Sequence, residues 1–333
     1  MSNFVGIDLG VGSIKIVSLS KDGDKVVLDN IGEVKTPQFN KLSEVSRVLK
    51  SLVSEMKLSN CQAVVSIPEN KIVSRLVLLP PLKDSEIKDA LWFEAETFVP
   101  FPLDEVSIDY EVISTDEAGR LSVFAIAARN DLIAEYVKLF KNCGIDLVAI
   151  EPTSLSLKRL VNQIVVNSVS IMVLDIGKKF SDIISLHNSN ISFARSLSVG
   201  GESLTRSISV NLGLDMASAE EYKKAYGMKE MELEGKIKNA IMPVFESLSE
   251  EVRRAIAMHV ESYNKSVDLL ILSGGGAKMP GLAEELTKKL GVEVQIMQPF
   301  LKIDTTRIVV PIDLNIDGYR FAVAVGSALR ALL

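Results

Sequence analysis

Two stretches of this chain, half its length apart, share one design. Residues 5–20 read VGIDLGVGSIKIVSLS and residues 173–187 read VLDIGKKFSDIISLH. Sliding the 333-residue chain by 167 positions puts Asp175 under Asp8, Gly177 under Gly10 and the strand Ile183–Leu186 under Ile16–Leu19. Taken singly, each stretch is an ordinary hairpin, because Gly and Asp are the residues tight turns use. Repeated at one offset, they predict a duplicated fold. Two facing domains, each offering an Asp-x-Gly turn, make a cleft where backbone N–H groups from both sides reach a polyphosphate. Glycines permit that close approach, and an acid beside phosphates calls for a cation between them, usually Mg²⁺ with its waters.

A length of 333 suits two domains, and 47% hydrophobic residues with 6% aromatic suits aliphatic α/β cores. A net charge of −6 argues against a continuous nucleic-acid groove. Cys61 and Cys143 stand apart, with no His or Cys near them in sequence. They read as buried thiols in a reducing compartment, not as a disulfide or a zinc site. No apolar run approaches the roughly 20 residues of a membrane span, and the start MSNF lacks the basic region of an export signal. The expected location is the cytoplasm.

Strand-like runs at 4–9, 14–19 and 25–29 open the chain, followed by a helix over 43–56 and the buried strand AVVSIP. The acid-rich segment KDSEIKDALWFEAETFVPFPLDE then begins with Asp84 or Ser85 as a capping residue. Ile87, Leu91, Ala95 and Phe98 form its apolar stripe. Trp92 lies off that stripe, so it either closes a small core or anchors a partner. The strands SIDYEVI and RLSVFAIAAR and a helix near 131–143 complete a small α+β insert. IDLVAIEPTSLSLKRL restarts the larger sheet, and its unbroken apolar run predicts a strand covered on both faces. Glu151 stands at the carboxyl end of that strand, where open sheets collect ligands. It is either a solvated loop acid or, beside a nucleotide, the group that orients an attacking water.

The second half is expected to repeat the plan with helices in place of the insert. MASAEEYKKAYG is an amphipathic helix with Ala219, Tyr222 and Tyr226 on one side and Gly227 as its end. Glu220 and Lys223, three apart, are on spacing alone a surface ion pair. LLILSGGGAKMPGLAEELTKKLG is a buried strand running into Gly274, Gly275 and Gly276, then a helix that Gly291 closes. Its spacing fails the dinucleotide fingerprint, but three glycines let a flat ring or a phosphate touch backbone. The final RFAVAVGSALRALL is a small-residue helix, either plain core or a hinge between domains.

Asp8-x-Gly10-x-x-Ser13-x-Lys15, Asp175-x-Gly177-x-x-x-Ser181, the Gly274–Gly281 loop and the small-residue last helix, in this order, resemble the nucleotide site of the actin, Hsp70 and sugar-kinase superfamily. Within it, the insert LPPLKDSEIKDALWFEAETFVPFPLDEVSIDYEVI and the run SLSVGGESLTRSISVNLGLDMASAEEYKKAYG are similar to the PilM family, actin-like proteins of type IV pilus assembly. The resemblance covers nearly the whole chain. It implies an actin-like two-domain ATPase fold of duplicated ribonuclease-H-like domains: residues 1–165 with an SHS2-like (1C) insert at about 76–145, residues 166–318, and a C-terminal helix at 319–333 packing back on the first domain.

It also implies roles. Asp8 and Asp175 would hold the water shell of Mg²⁺; the turns around Gly10, Val11, Gly12 and Ser13 and around Gly177 to Ser181 would cradle the phosphates of ATP or ADP, with Lys15 as a point charge. Gly201 would be among the cofactor-binding residues, Glu220 and Lys223 match the family's Ala-Glu-x-x-Lys helix that reaches the ribose hydroxyls, Gly274 to Gly276 and Lys278 would border the adenosine, and Glu151 matches the hydrolysis-side Glu-Pro of Hsp70-like relatives. Lys178, Lys179 and Phe180 occupy places where many relatives carry Gly or Thr, which fits nucleotide binding better than fast hydrolysis. The implied partners are the cytoplasmic N-terminal tail of PilN and other inner-membrane and motor components of the pilus machine, with no nucleic acid. Membrane association at the inner face of the inner membrane would then be indirect, and the resemblance leaves room for self-association. Two other readings share the superfold: a small-molecule kinase or phosphatase, which would need Glu151 as its base, and an FtsA-like division filament. FtsA-like proteins carry a basic amphipathic helix past the last domain, whereas this sequence runs to Leu333 within its last helix.

Overall fold

A computed structural model describes residues 4–37, 42–58, 61–165, 169–309 and 312–332; Leu333 and the first three residues lie outside them. The first half contains β1 (Phe4–Leu9), β2 (Ser13–Asp22), β3 (Lys25–Lys35), α1 (Leu42–Glu55), β4 (Gln62–Ile67), β5 (Ile72–Leu79), α2 (Asp84–Ala95), β6 (Val106–Thr115), β7 (Leu121–Arg129), α3 (Asn130–Asn142), β8 (Asp146–Pro152) and α4 (Thr153–Ile164). The second contains β9 (Ser170–Ile176), β10 (Ser181–His187), β11 (Asn190–Leu197), α5 (Gly201–Leu212), α6 (Met216–Tyr226), α7 (Lys236–Tyr263), β12 (Leu269–Ser273), α8 (Leu282–Leu290) and β13 (Glu293–Ile296). The chain then returns through β14 (Ile303–Asp304) and α9 (Leu314–Asp317) to α10 (Ala322–Leu329).

One sheet runs β14-β3-β2-β1-β4-β8 and the other β11-β10-β9-β12-β13. In both, two antiparallel neighbours flank the central strand on one side and two parallel ones on the other. The repeat holds to the residue. Asp8 sits opposite Lys15 and Ile7 opposite Ile16, while Asp175 sits opposite Asp182 and Leu174 opposite Ile183. The turns also close alike. A Cβ added to Gly10 would lie 2.8 Å from the Ser13 carbonyl oxygen, and one on Gly177 would lie 2.8 Å from the Phe180 carbonyl oxygen. Neither turn admits a side chain there, which is why both carry glycine.

Three expectations change. The run ending at Glu151 forms β8, an edge strand whose Val148 is 46% exposed, not a strand covered on both faces. An unbroken apolar run identifies a strand but not the number of its neighbours. The helices α5–α7 sit between β11 and β12, in the place of α1; the place of the insert, between the fourth and fifth strands of the repeat, holds only α8. Helix α2 starts at Asp84 with Lys83 in the capping position, where the Glu86 carboxylate accepts the Lys83 backbone N–H at 2.8 Å.

The insert is a three-stranded sheet, β5-β7-β6, covered by α2. Ile87 and Leu91 pack on Val77, Leu121 and Val123, whereas Trp92 and Phe93 stay exposed. Helix α3 instead puts Tyr136, Leu139 and Phe140 into the core of the first sheet. Between the sheets lies a cluster drawn from both: Val17, Leu19 and Leu28 from one, Val173, Ile184 and Ile271 from the other, with α4 and α10 filling the space. Helix α10 is buried along its length. It fits because of two glycines, since a Cβ on Gly6 would stand 2.0 Å from the Ala324 carbonyl oxygen and one on Gly326 2.1 Å from that of Ser156. The hydroxyls of Ser66, Ser156 and Ser327 bond one another at 2.7–3.0 Å at this crossing, leaving no buried hydroxyl unpaired there.

Candidate functional site

The two equivalent turns face each other across one cleft of about 1770 Å³, larger than the roughly 300–1,000 Å³ of an ordinary small-ligand pocket. From the first half come Asp8, Gly10 to Ser13 and Lys15; from the second, Asp175, Gly177 to Lys179, Gly201, Glu220, Lys223, Gly274 to Gly276 and Lys278. The sequence therefore named residues that the fold brings together from positions more than 250 apart.

Asp8 is the last residue but one of β1, where Lys15 Nζ meets its Oδ2 at 3.1 Å, so this lysine is spent first on the acid and not on a ligand. The tip of the turn is clamped by the residue that follows β3: Thr36 Oγ1 donates to the Gly10 carbonyl at 2.6 Å and Thr36 N to that of Gly12 at 3.2 Å. Ser13 Oγ donates to Glu33 Oε1 at 2.7 Å. Gly12 closes the distance to the other half, since a Cβ there would meet the Lys178 Cβ at 3.5 Å. The Lys178 stem thus lies over the first turn, and neither Lys178 nor Lys179 has an ion-pair partner among the described residues.

The second turn is braced by α5. Gly201 N donates to the Gly177 carbonyl at 2.9 Å and Glu202 N to that of Lys178 at 2.8 Å. Gly200 must be glycine, because its Cβ would fall 2.7 Å from the Lys179 carbonyl carbon. The first free N–H groups of α5 are therefore occupied by the turn itself. Lys223 of α6 is buried and donates to the Gly201 carbonyl at 2.9 Å, Thr205 Oγ1 at 2.8 Å and Glu220 Oε2 at 2.6 Å. Burial lowers the Lys223 pKa from its ordinary value, against the pull of Glu220. Burial raises that of Glu220, but the bonds from Lys223 and Thr205 outweigh it and leave the carboxyl below its ordinary value. Glu220 is thereby held ionised at the cleft wall.

Gly274 has φ +78°, and a Cβ on it would stand 2.6 Å from the Ile176 carbonyl oxygen and 2.9 Å from Asp175 Oδ1. Gly276 N donates to that same carbonyl at 2.9 Å, Gly275 is open, and Lys278 Nζ donates to the Ile316 carbonyl at 2.9 Å. Asp175 lies at the floor. Burial, opposed by Ser273 and reinforced by Asp8, pushes its pKa up to about 6, and its Oδ1 is buried with no hydrogen-bond partner. Asp182, the counterpart of Lys15, also has a buried Oδ1 without a partner; burial first and Glu69 second hold it well above the usual carboxylate range. Among the described residues no cluster of three or more His, Cys, Asp or Glu could hold a bare metal ion.

Two expected residues stand elsewhere. Ser181 is buried and its hydroxyl donates to the Val199 carbonyl at 2.7 Å. At the repeat offset it matches Ile14, a core position, and the counterpart of Ser13 is Phe180. Glu151 is buried outside the cleft lining, and its carboxylate accepts from Ser156 Oγ at 2.7 Å, from both Nη atoms of Arg159 and from Arg330 Nη1 at 2.8 Å. Burial raises its pKa, but Arg159 above all keeps it below the ordinary value. Glu151 thus ties α4 to the end of α10 and is not available as a base. Cleft residues the sequence reading missed include Glu33, Thr153, Asp182, Tyr222, Tyr319 and Arg320; of these, only Asp182 carried a signal, as the mate of Lys15 in the repeat.

The sequence profile of the type IV pilus assembly protein PilM family matches residues 6–332. Among solved structures, a PilM–PilN type IV pilus biogenesis complex superposes with a TM-score of 0.86 at 26% identity, covering 99% of this chain and 98% of that one. The ethanolamine utilization protein EutJ of Carboxydothermus hydrogenoformans follows at 16% identity and TM-score 0.59, with 99% and 90% covered. MreB5 of Spiroplasma citri bound to AMPPNP follows at 14% and 0.56, with 99% and 96% covered. The fold is the actin-like two-domain fold, and the chain belongs to the PilM family of type IV pilus assembly proteins.

Proposed function

We propose that this chain is a nucleotide-binding scaffold of the type IV pilus inner-membrane assembly complex. It holds ATP or ADP in the cleft and offers its insert to the cytoplasmic N-terminal tail of PilN, which brings it to the inner face of the inner membrane. The observation that carries the reading is the pair of matched turns, Asp8-x-Gly10 and Asp175-x-Gly177, opening on one cleft in a PilM family member. Backbone amides of the first turn, with Lys178 and Lys179 opposite, suit phosphates. The ionised Glu220 suits ribose hydroxyls, and the open Gly275 beside Lys278 suits the base. Asp8 and the unpartnered Asp175 Oδ1 fit a hydrated Mg²⁺, which would neutralise phosphate charge when bound.

Glu151, the base that group transfer would need, is held by Arg159 and Arg330 outside the cleft lining, so the reading is binding; the family match favours neither a small-molecule kinase nor a division filament. On the insert, Trp92 and Phe93 are 40% and 72% exposed, with Asp89 and Glu96 about one helical turn to either side. An apolar tail carrying basic residues suits this face. Melting of the full chain tests the cleft: Mg-ATP at 100-fold above its dissociation constant adds about 2.7 kcal/mol of stability, raising Tm by about 4 °C. An unchanged Tm would overturn the nucleotide reading. A labelled PilN tail peptide that binds the protein and loses about tenfold affinity with Trp92→Ala supports the docking face; failure to bind removes it.

A further inference from the structure

Ser13 stands in the first turn, where phosphates would lie, yet its hydroxyl is already committed to Glu33 Oε1 at 2.7 Å. A serine hydroxyl has a single proton to donate, so a phosphate oxygen and Glu33 compete for it. The other oxygen of Glu33 meets Arg320 Nη1 at 3.2 Å. Arg320 belongs to the helical turn Gly318–Phe321 that leads into α10. Its two neighbours are anchored elsewhere: Tyr319 packs on the core of the second half, and Phe321 is buried in the cluster shared by both sheets. Three residues therefore reach from the phosphate turn of one domain to the joint between domains.

The contacts are poised to change. The Glu33 and Arg320 side chains are 24% and 30% exposed and both line the cleft. Arg320 Nε is buried without a hydrogen-bond partner, so the guanidinium is fixed chiefly at one corner. Glu33 is also an anion beside a phosphate site, a repulsion that its ion pair with Arg320 offsets, with Lys15 opposite it on β2.

We propose that Ser13, Glu33 and Arg320 form a relay coupling phosphate occupancy of the cleft to the position of residues 318–321, with Glu33 and Arg320 as positioning residues. The proposal rests on the nucleotide reading above. A phosphate oxygen that accepts the Ser13 proton leaves Arg320 as the remaining partner of Glu33. The carboxylate then turns toward Arg320 and tightens the joint. Ligand and joint are thereby linked through one shared acceptor, and the link is reciprocal.

The test uses the full chain, a fluorescent ATP analogue with Mg²⁺, and two readouts: affinity, and amide hydrogen exchange over residues 318–321 with and without nucleotide. In the unsubstituted protein, nucleotide slows that exchange about tenfold. Glu33→Gln keeps an acceptor for Ser13 and removes the charge, so it binds at least as tightly but loses the exchange response. Arg320→Ala binds about tenfold more weakly, because Glu33 is left uncompensated, and also loses the response; Arg320→Lys restores most of the affinity. Ser13→Ala and Arg320→Ala are non-additive in a double-substitution cycle. A purely structural role would lower Tm in these variants without splitting affinity from response, and the conservative variants keep the test open if Arg320→Ala fails to fold. A full exchange response in Glu33→Gln, or additivity of Ser13→Ala with Arg320→Ala, overturns the relay alone. Absence of nucleotide binding by the unsubstituted protein overturns the parent reading and the relay with it.

Discussion

The turn after β1 and the turn after β9 are closed by the same contact, a glycine under a carbonyl three residues on, and paired in the same register. Their charges are not alike. In the first turn Asp8 is matched by Lys15 and the tip is Val11, Gly12 and Ser13; in the second Asp175 faces Asp182 across the strand pair, and the tip is Lys178, Lys179 and Phe180. The cation has moved from floor to tip, and a second acid has taken its place on the floor. A duplicated backbone thus fixes where ligand groups can approach, while single side chains decide what each side supplies.

The strongest way to break this comparison is at the two acids. Asp8→Ala and Asp175→Ala are each expected to weaken Mg-dependent nucleotide binding by at least about 100-fold with the fold intact by circular dichroism. Calorimetry checks it, and retained affinity in both would dissolve the paired site. Next is Glu151, which has no acidic counterpart at the end of β13. Glu151→Ala leaves the half-buried Arg159 with only the Gly326 carbonyl and should cost about 3 kcal/mol in denaturant unfolding, while Glu151→Gln leaves nucleotide affinity near that of the unsubstituted protein. Gly10→Ala and Gly177→Ala meet the same obstacle at 2.8 Å and should destabilise by similar amounts, about 1–3 kcal/mol; unequal losses would show that the halves share outline but not strain.

The smallest effect is in pH. The Asp182 and Glu69 pKa values are both raised, burial being the first cause, so the folded chain holds protons that the unfolded chain has released. Their contribution is present below the ordinary carboxylate range and is lost as pH rises through the raised values. Asp182→Asn should therefore flatten the decline of Tm toward neutral pH and raise Tm there by a few degrees, whereas a substitution at Lys15 should not reproduce this.

The duplication, the insert and most of the cleft were legible in the sequence because their signals are local: strand periodicity, turn glycines and one constant offset. Ser181 was expected in the phosphate turn because it closes the run after Gly177; counted at 167 it falls under Ile14, a core position. The surroundings of Glu151 were not legible because Arg330 is 179 residues away. The edge position of β8 was hidden for a related reason, since apolar composition records burial but not which neighbour is missing. Glu33 and Arg320 carry no motif, and only the folded chain sets them side by side.

The wedge formed by α10 has a consequence for how the protein comes into being. Gly6 and Ser66, in the first fifth of the sequence, both meet α10, Gly6 against Ala324 and Ala328 and Ser66 through the Ser327 hydroxyl. During synthesis the part of the first sheet that α10 covers stays open until residues 322–329 have emerged, although α4 is made much earlier. The first domain therefore completes its packing only after the second has been made, so the two cannot mature strictly one after the other.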